Sequence, residues 1–117
     1  METTVARKRL EEMRDDLDRS IAILQGERPG SLAGAGYAHD SADAGSSLSE
    51  ADRTEAVLSS ARAQRDGVLA ALTRLEDHSY GQCVDCGHEI PEGRLEALPD
   101  ASRCVGCQSK YAKRRRR

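Results

Sequence analysis

Leu10, Met13, Leu17, Ile21 and Leu24 recur at spacings of three and four, with Glu, Asp and Arg between them. That period draws one apolar stripe along a helix, which predicts a first helix over residues 3–25, with Thr3 or Thr4 able to cap its start. Gly26, followed by Pro29, supplies the stop. Residues 26–39 (GERPGSLAGAGYAH) hold four glycines and one proline and read as a loop. Periodicity resumes after Ser46 and Ser47. There Leu58, Ala61, Val68, Leu72 and Leu75 fall at heptad-like offsets, interrupted by Arg65 and Gly67. A second helix over 47–77 follows, about 45 Å long at about 1.5 Å per residue.

Two amphipathic helices joined by a flexible loop predict a mainly α fold, an antiparallel helical hairpin packed as a coiled coil. The hairpin occupies residues 1–77, with its tip loop at about 26–46. The Gly-rich break favours pairing within one monomeric chain over an intermolecular coiled coil, which is the alternative. The second helix outruns the first, so its base needs support from elsewhere.

Composition shows why that support matters. The 117 residues include three tyrosines and neither Trp nor Phe, while 32% are charged. A chain so poor in bulky apolar residues needs a metal, disulfides, oligomerisation or well-packed helices to hold a fold. No apolar run approaches the roughly 20 residues that span a bilayer, and the N-terminus lacks an apolar signal core, so the expected location is the cytoplasm. The net charge of −2 averages two unlike regions. Lys110, Lys113 and Arg114 to Arg117 load the last ten residues with cations, leaving twelve basic against twenty acidic residues before them. Such a tail can touch nucleic acid or an acidic protein surface, or simply solubilise a frayed end.

All four cysteines, Cys83, Cys86, Cys104 and Cys107, fall within 25 residues as two Cys-x2-Cys pairs. Each pair can present two thiolates from a tight turn, eased by Gly87 and Gly106, and two such knuckles complete an all-sulfur tetrahedron suited to one zinc ion. Disulfides are disfavoured in the cytoplasm, a redox dithiol needs only one pair, and an iron–sulfur cluster is the remaining alternative. Four protein ligands leave no open position, so the zinc is expected to be structural. Its binding free energy, roughly 10–16 kcal/mol in small finger peptides, can fold what apolar burial cannot. His78 and His88 flank the first knuckle as bystanders, and His39 is a solvated loop residue. Residues 78–117 thus form a small C-terminal zinc finger followed by a short terminal helix with the basic tail.

The stretch YGQCVDCGHEIPEGRLEALPDASRCVGCQ, from Tyr80, resembles the DksA/TraR zinc-finger family. The family frame Cys-x2-Cys-x3-Ile-x3-Arg-x4-Pro-x4-Cys-x2-Cys is met at Cys83, Cys86, Ile90, Arg94, Pro99, Cys104 and Cys107, and Tyr80, Gly81, Leu95 and Ala97 match common choices. The resemblance implies a coiled coil projecting from a globular part that holds the finger. It also implies a cytoplasmic transcription regulator that binds RNA polymerase through the secondary channel and makes no sequence-specific contact with DNA.

In that family an Asp-x-x-Asp-x-Ala motif lies at the coiled-coil tip. Counting back from the cysteines without a gap puts it at Asp40, Ser41, Ala42, Asp43, Ala44 and Gly45, with Gly in place of the last Ala. Asp40 and Asp43 are the implied polymerase-contacting acids. Read without the family, two carboxylates near the start of a helix favour its N-terminus or cap it. Basic residues that help family members bind ppGpp fall, by the same count, on Ser60, Gly67 and Gln108, none of them basic. Weak or absent ppGpp dependence is therefore expected. A different class of reading is a zinc protein whose KRRRR tail binds nucleic-acid phosphate. No Ser-His-Asp set, phosphate loop or open metal site supports an enzyme.

Overall fold

The computed structural model describes residues 2–26 and 44–115, with side chains of the second helix described from residue 49 onward. His39, Asp40, Asp43 and most of the predicted tip loop lie outside the described residues. Four helices are present among those described: α1 (Thr3–Leu24), α2 (Ala44–Glu76), α3 (Glu92–Ala97) and α4 (Val105–Arg115). None is long and apolar enough to cross a membrane.

The first two helices match the two apolar stripes. Gly26 closes α1 with φ +76°, donating its N–H to the Ile23 carbonyl at 3.0 Å, the left-handed cap that glycine adopts without strain. α2 begins at Ala44, three residues before the expected start at Ser47, so Ser46 and Ser47 lie inside the helix. Its other end is closed by His78 at φ 61°, with the Ser79 N–H on the Arg74 carbonyl at 2.8 Å. A side chain in this left-handed position costs roughly 1–2 kcal/mol, so the turn is held by what surrounds it.

The chain divides into two compact units, Met1–Arg14 with Asp66–Arg117, and Asp15–Arg65. Within the first, Arg7 Nη1 meets Glu76 Oε1 at 3.0 Å, and within the second the Arg65 guanidinium meets Asp18. From Arg7 to Asp18 α1 advances by as many residues as α2 retreats from Glu76 to Arg65, the signature of an antiparallel hairpin. Arg65, an interruption of the stripe in sequence, is thus one rung of the hairpin. Exposed pairs of this kind contribute about 0–1 kcal/mol. Apolar burial contributes more: Ala6, Leu10, Val68, Ala71 and Leu75 are buried in the first unit, and Leu58 in the second. Ala6 and Ala71 were not part of the predicted stripe. Both are fully buried, while Leu72 and Ala61, which were part of it, are only half-buried.

Leu10 is fully buried, so Leu10→Ala should lower stability by about 2–5 kcal/mol. Asp18→Ala, at an exposed ion pair, should cost under about 1 kcal/mol. Urea titration of the zinc-loaded protein measures both.

Candidate metal centre

The first knuckle is a miniature hairpin. Gln82 and Glu89 form an antiparallel bridge, the Cys83 N–H donates to the His88 carbonyl at 2.8 Å, and the Ile90 N–H donates to the Gly81 carbonyl at 2.7 Å. Gly87 turns the chain at φ +78°, its N–H on the Cys83 carbonyl at 2.9 Å. A residue with a Cβ would be strained at that φ. The second knuckle is built differently from the turn expected. α4 starts inside it, at Val105, and the Gln108 N–H donates to the Cys104 carbonyl at 2.9 Å. Gly106 is therefore helical rather than a turn residue, and Cys107 stands on the first turn of α4. The terminal helix thus begins inside the knuckle, at Val105, because this hydrogen bond carries helical geometry back to the cysteine.

The two knuckles bring Cys83, Cys86, Cys104 and Cys107 together, with all four Sγ atoms within 4.8 Å of one another. Cys86 and Cys104 are 3.9 Å apart, close to the edge of about 3.8 Å expected for a tetrahedron of sulfurs at about 2.3 Å from zinc. Sulfurs this close cannot ligate the separate irons of a cluster, and all four are free of disulfides. Neither His78 nor His88 belongs to the group; His88 serves through its carbonyl.

Charge makes the same case for a cation. The Cys86 N–H draws the Cys83 thiol down to about 6, against the opposing effect of burial. Cys107 is pushed up to about 12, chiefly by its contacts with the sulfurs of Cys104 and Cys83. The His88 N–H favours the Cys86 thiolate, but the Cys83 sulfur and desolvation outweigh it, and its pKa is raised. One thiolate forms readily and then resists its neighbours. A dication relieves that repulsion, so the donor set fits one structural zinc ion held by the four sulfurs, with no coordination position left for chemistry.

The remaining residues of the frame hold the segment between the knuckles. Tyr80 Oη donates to the Pro99 carbonyl at 2.8 Å, Arg94 Nε to the Arg103 carbonyl at 3.0 Å, and Arg74 Nη2 reaches the Ala101 carbonyl at 3.5 Å. Arg9 Nη2 of α1 donates to the Glu96 carbonyl at 2.8 Å. Cys83, Ile90 and Leu95 are buried together, with Tyr80, Ala101, Cys104 and Cys107 packed against them. Sequence reasoning missed Arg9 and Arg74 as supports for the finger, and it missed α3. The signals for that helix were Pro91 followed by Glu92, an ordinary helix start.

Residues 78–113 match the family model of the prokaryotic dksA/traR C4-type zinc finger. Among curated proteins, the RNA polymerase-binding transcription factors DksA of Escherichia coli K12 and Salmonella typhimurium are 28% identical over 98 residues, covering 84% of this chain and 60% of theirs. The protein of the same name from Caulobacter vibrioides is 46% identical over 46 residues, covering 39% of this chain and 32% of its own. The chain thus spans about 60% of the length of the enterobacterial relatives it matches. Among solved structures, transcription factor DksA2 of Pseudomonas aeruginosa covers 98% of this chain and 86% of its own at 27% identity, with a TM-score of 0.78.

Zinc binding must displace protons from the raised thiols of Cys86 and Cys107. Loading metal-free protein at pH 7 should release roughly two protons or more per zinc, and apparent affinity should fall as pH falls. Titration in weakly buffered solution with a zinc-sensitive dye checks both.

Proposed function

We propose, from the match of residues 78–113 to the prokaryotic dksA/traR C4-type zinc finger, that the protein is a non-enzymatic transcription factor that binds RNA polymerase. One observation carries the reading: relatives named for that binding align with 84% of the chain, across the hairpin as well as the finger. The finger supplies no chemistry; zinc, when bound, neutralises the thiolates and fixes the two knuckles. Arg9 and Arg74 then couple the base of both helices to the finger through backbone carbonyls. A hairpin held at its base can act as a probe, since force or contact along it is borne by a defined mount.

In this reading the hairpin enters the secondary channel of polymerase, and Asp40 and Asp43 at its tip approach the catalytic centre and alter initiation. The two acids supply negative charge that basic groups or a bound metal ion of the enzyme can meet. The protein acts as a monomer, without sequence-specific DNA contact. Dependence on ppGpp is weak or absent. Ser60 and Gln108 are exposed and uncharged, and a Cβ added at Gly67 would stand 3.5 Å from the carboxylate of Asp100, not beside a cation.

Zinc-loaded protein should co-purify with core polymerase, and Asp40→Asn with Asp43→Asn should keep that binding while losing most of the effect on initiation in vitro. Normal regulation by the double variant would remove the tip from the mechanism. In the same assay, adding ppGpp should change regulation by less than about twofold, well under 1 kcal/mol; a large synergy would contradict the expectation.

A further inference from the structure

We propose that Arg103, Tyr111, Arg114 and Arg115 form a cleft that binds the phosphate backbone of nucleic acid without regard to sequence. Two clefts adjoin at Arg114. One, of about 400 Å³, is lined by Asp85, Cys86, Cys107, Lys110 and Arg114. Its two cations share the lining with an acid, Asp85, and two zinc-ligand sulfurs. The other, of about 260 Å³, is lined by Arg103, Tyr111, Arg114 and Arg115, three guanidiniums and a phenol with no acid among them.

This second cleft is assembled by contacts outside α4 as well as within it. Arg103 comes from the segment before the second knuckle; its Nε donates to Asp85 Oδ2 at 2.8 Å, and its Cζ lies 3.9 Å above the centre of the Tyr111 ring. Arg115 approaches the same ring at 5.8 Å, and Arg114 stands 3.9 Å from the same Asp85 oxygen. One carboxylate and one ring thus gather three cations that would otherwise repel one another, and a single Asp85 offsets only one of the three charges. The surplus calls for an anion richer than one carboxylate. Guanidinium forks match phosphate in charge and geometry.

The chain adds cations beyond the cleft, since Arg116 and Arg117 follow Arg115 directly. Closely repeated cations suit the dense, regular charge of a nucleic-acid backbone better than the scattered acids of a protein surface. Asn, Gln and carboxylate side chains, which pair with adenine and cytosine edges, are absent from the lining. Arg103 covers one face of the Tyr111 ring, so that face offers no stacking platform to a base.

The test is fluorescence anisotropy of the zinc-loaded full chain with a labelled mixed-sequence DNA 20-mer, repeated across potassium chloride concentrations. Arg103→Gln and Arg115→Gln should each weaken binding about tenfold or more, as loss of a charge-assisted contact does. Each should also reduce the slope of log affinity against log salt by about 1. Lys113→Gln, outside the cleft, should change affinity by less than about threefold, the effect of a diffuse surface charge. Arg115 is exposed and makes no bond to Asp85, so its variant keeps the test sound should Arg103→Gln disturb the finger; zinc content verifies each protein. Equal effects of Arg103→Gln, Arg115→Gln and Lys113→Gln, or no binding by the unaltered chain, overturn the proposal. So does displacement of the DNA by polyglutamate as efficiently per charge as by polyphosphate, which would assign the cleft to an acidic protein.

Discussion

Four thiols that cannot all ionise in one another's company are the constraint on which the finger depends. Cys83 gives up its proton readily because the Cys86 N–H points at its sulfur, and each further thiolate must then form against charge already present. A zinc ion turns this repulsion into attraction, and the four attachments replace the apolar core that 36 residues without Trp or Phe cannot assemble. What apolar core exists is one cluster of Cys83, Ile90 and Leu95, so a metal ligand is itself part of the packing.

The segment between the knuckles shows how the rest of the finger answers to that centre. It has little regular structure beyond α3, and its carbonyls need partners. Alternate residues, Pro99, Ala101 and Arg103, present carbonyls to Tyr80, Arg74 and Arg94. Burial lowers the pKa of Arg74, and its Nε is buried without a partner, while burial raises Tyr80. Both groups tolerate desolvation in order to hold a loop whose other end is fixed by zinc. Because Arg9 and Arg74 belong to the hairpin helices, the same contacts mount the base of the hairpin.

The hairpin itself follows from small residues rather than from strong pairs. Ala6 and Ala71 are fully buried, as are Leu10 and Val68, and no aromatic ring is among the buried residues described. The ion pairs along it, Arg7 with Glu76 and Arg65 with Asp18, set direction and register more than stability, since each is substantially exposed.

The local periods and spacings were legible without coordinates. The leucine stripes placed both long helices to within about three residues, because helix formation follows near-neighbour patterning. The paired Cys-x2-Cys spacing named the metal centre, because two knuckles presenting two thiolates each have few other uses. The Ile, Arg and Pro of the frame carried a family resemblance without revealing their work. Only the folded chain shows Arg94 and Tyr80 as clamps on backbone carbonyls and Arg9 and Arg74 as the coupling between helices and finger. It alone shows Gly106 in a helix, and Arg103 stacked on Tyr111 across from Asp85. Gly106 aside, those facts join residues from 8 to 87 positions apart, and such contacts are decided by where whole elements pack, which no local pattern of residue types encodes.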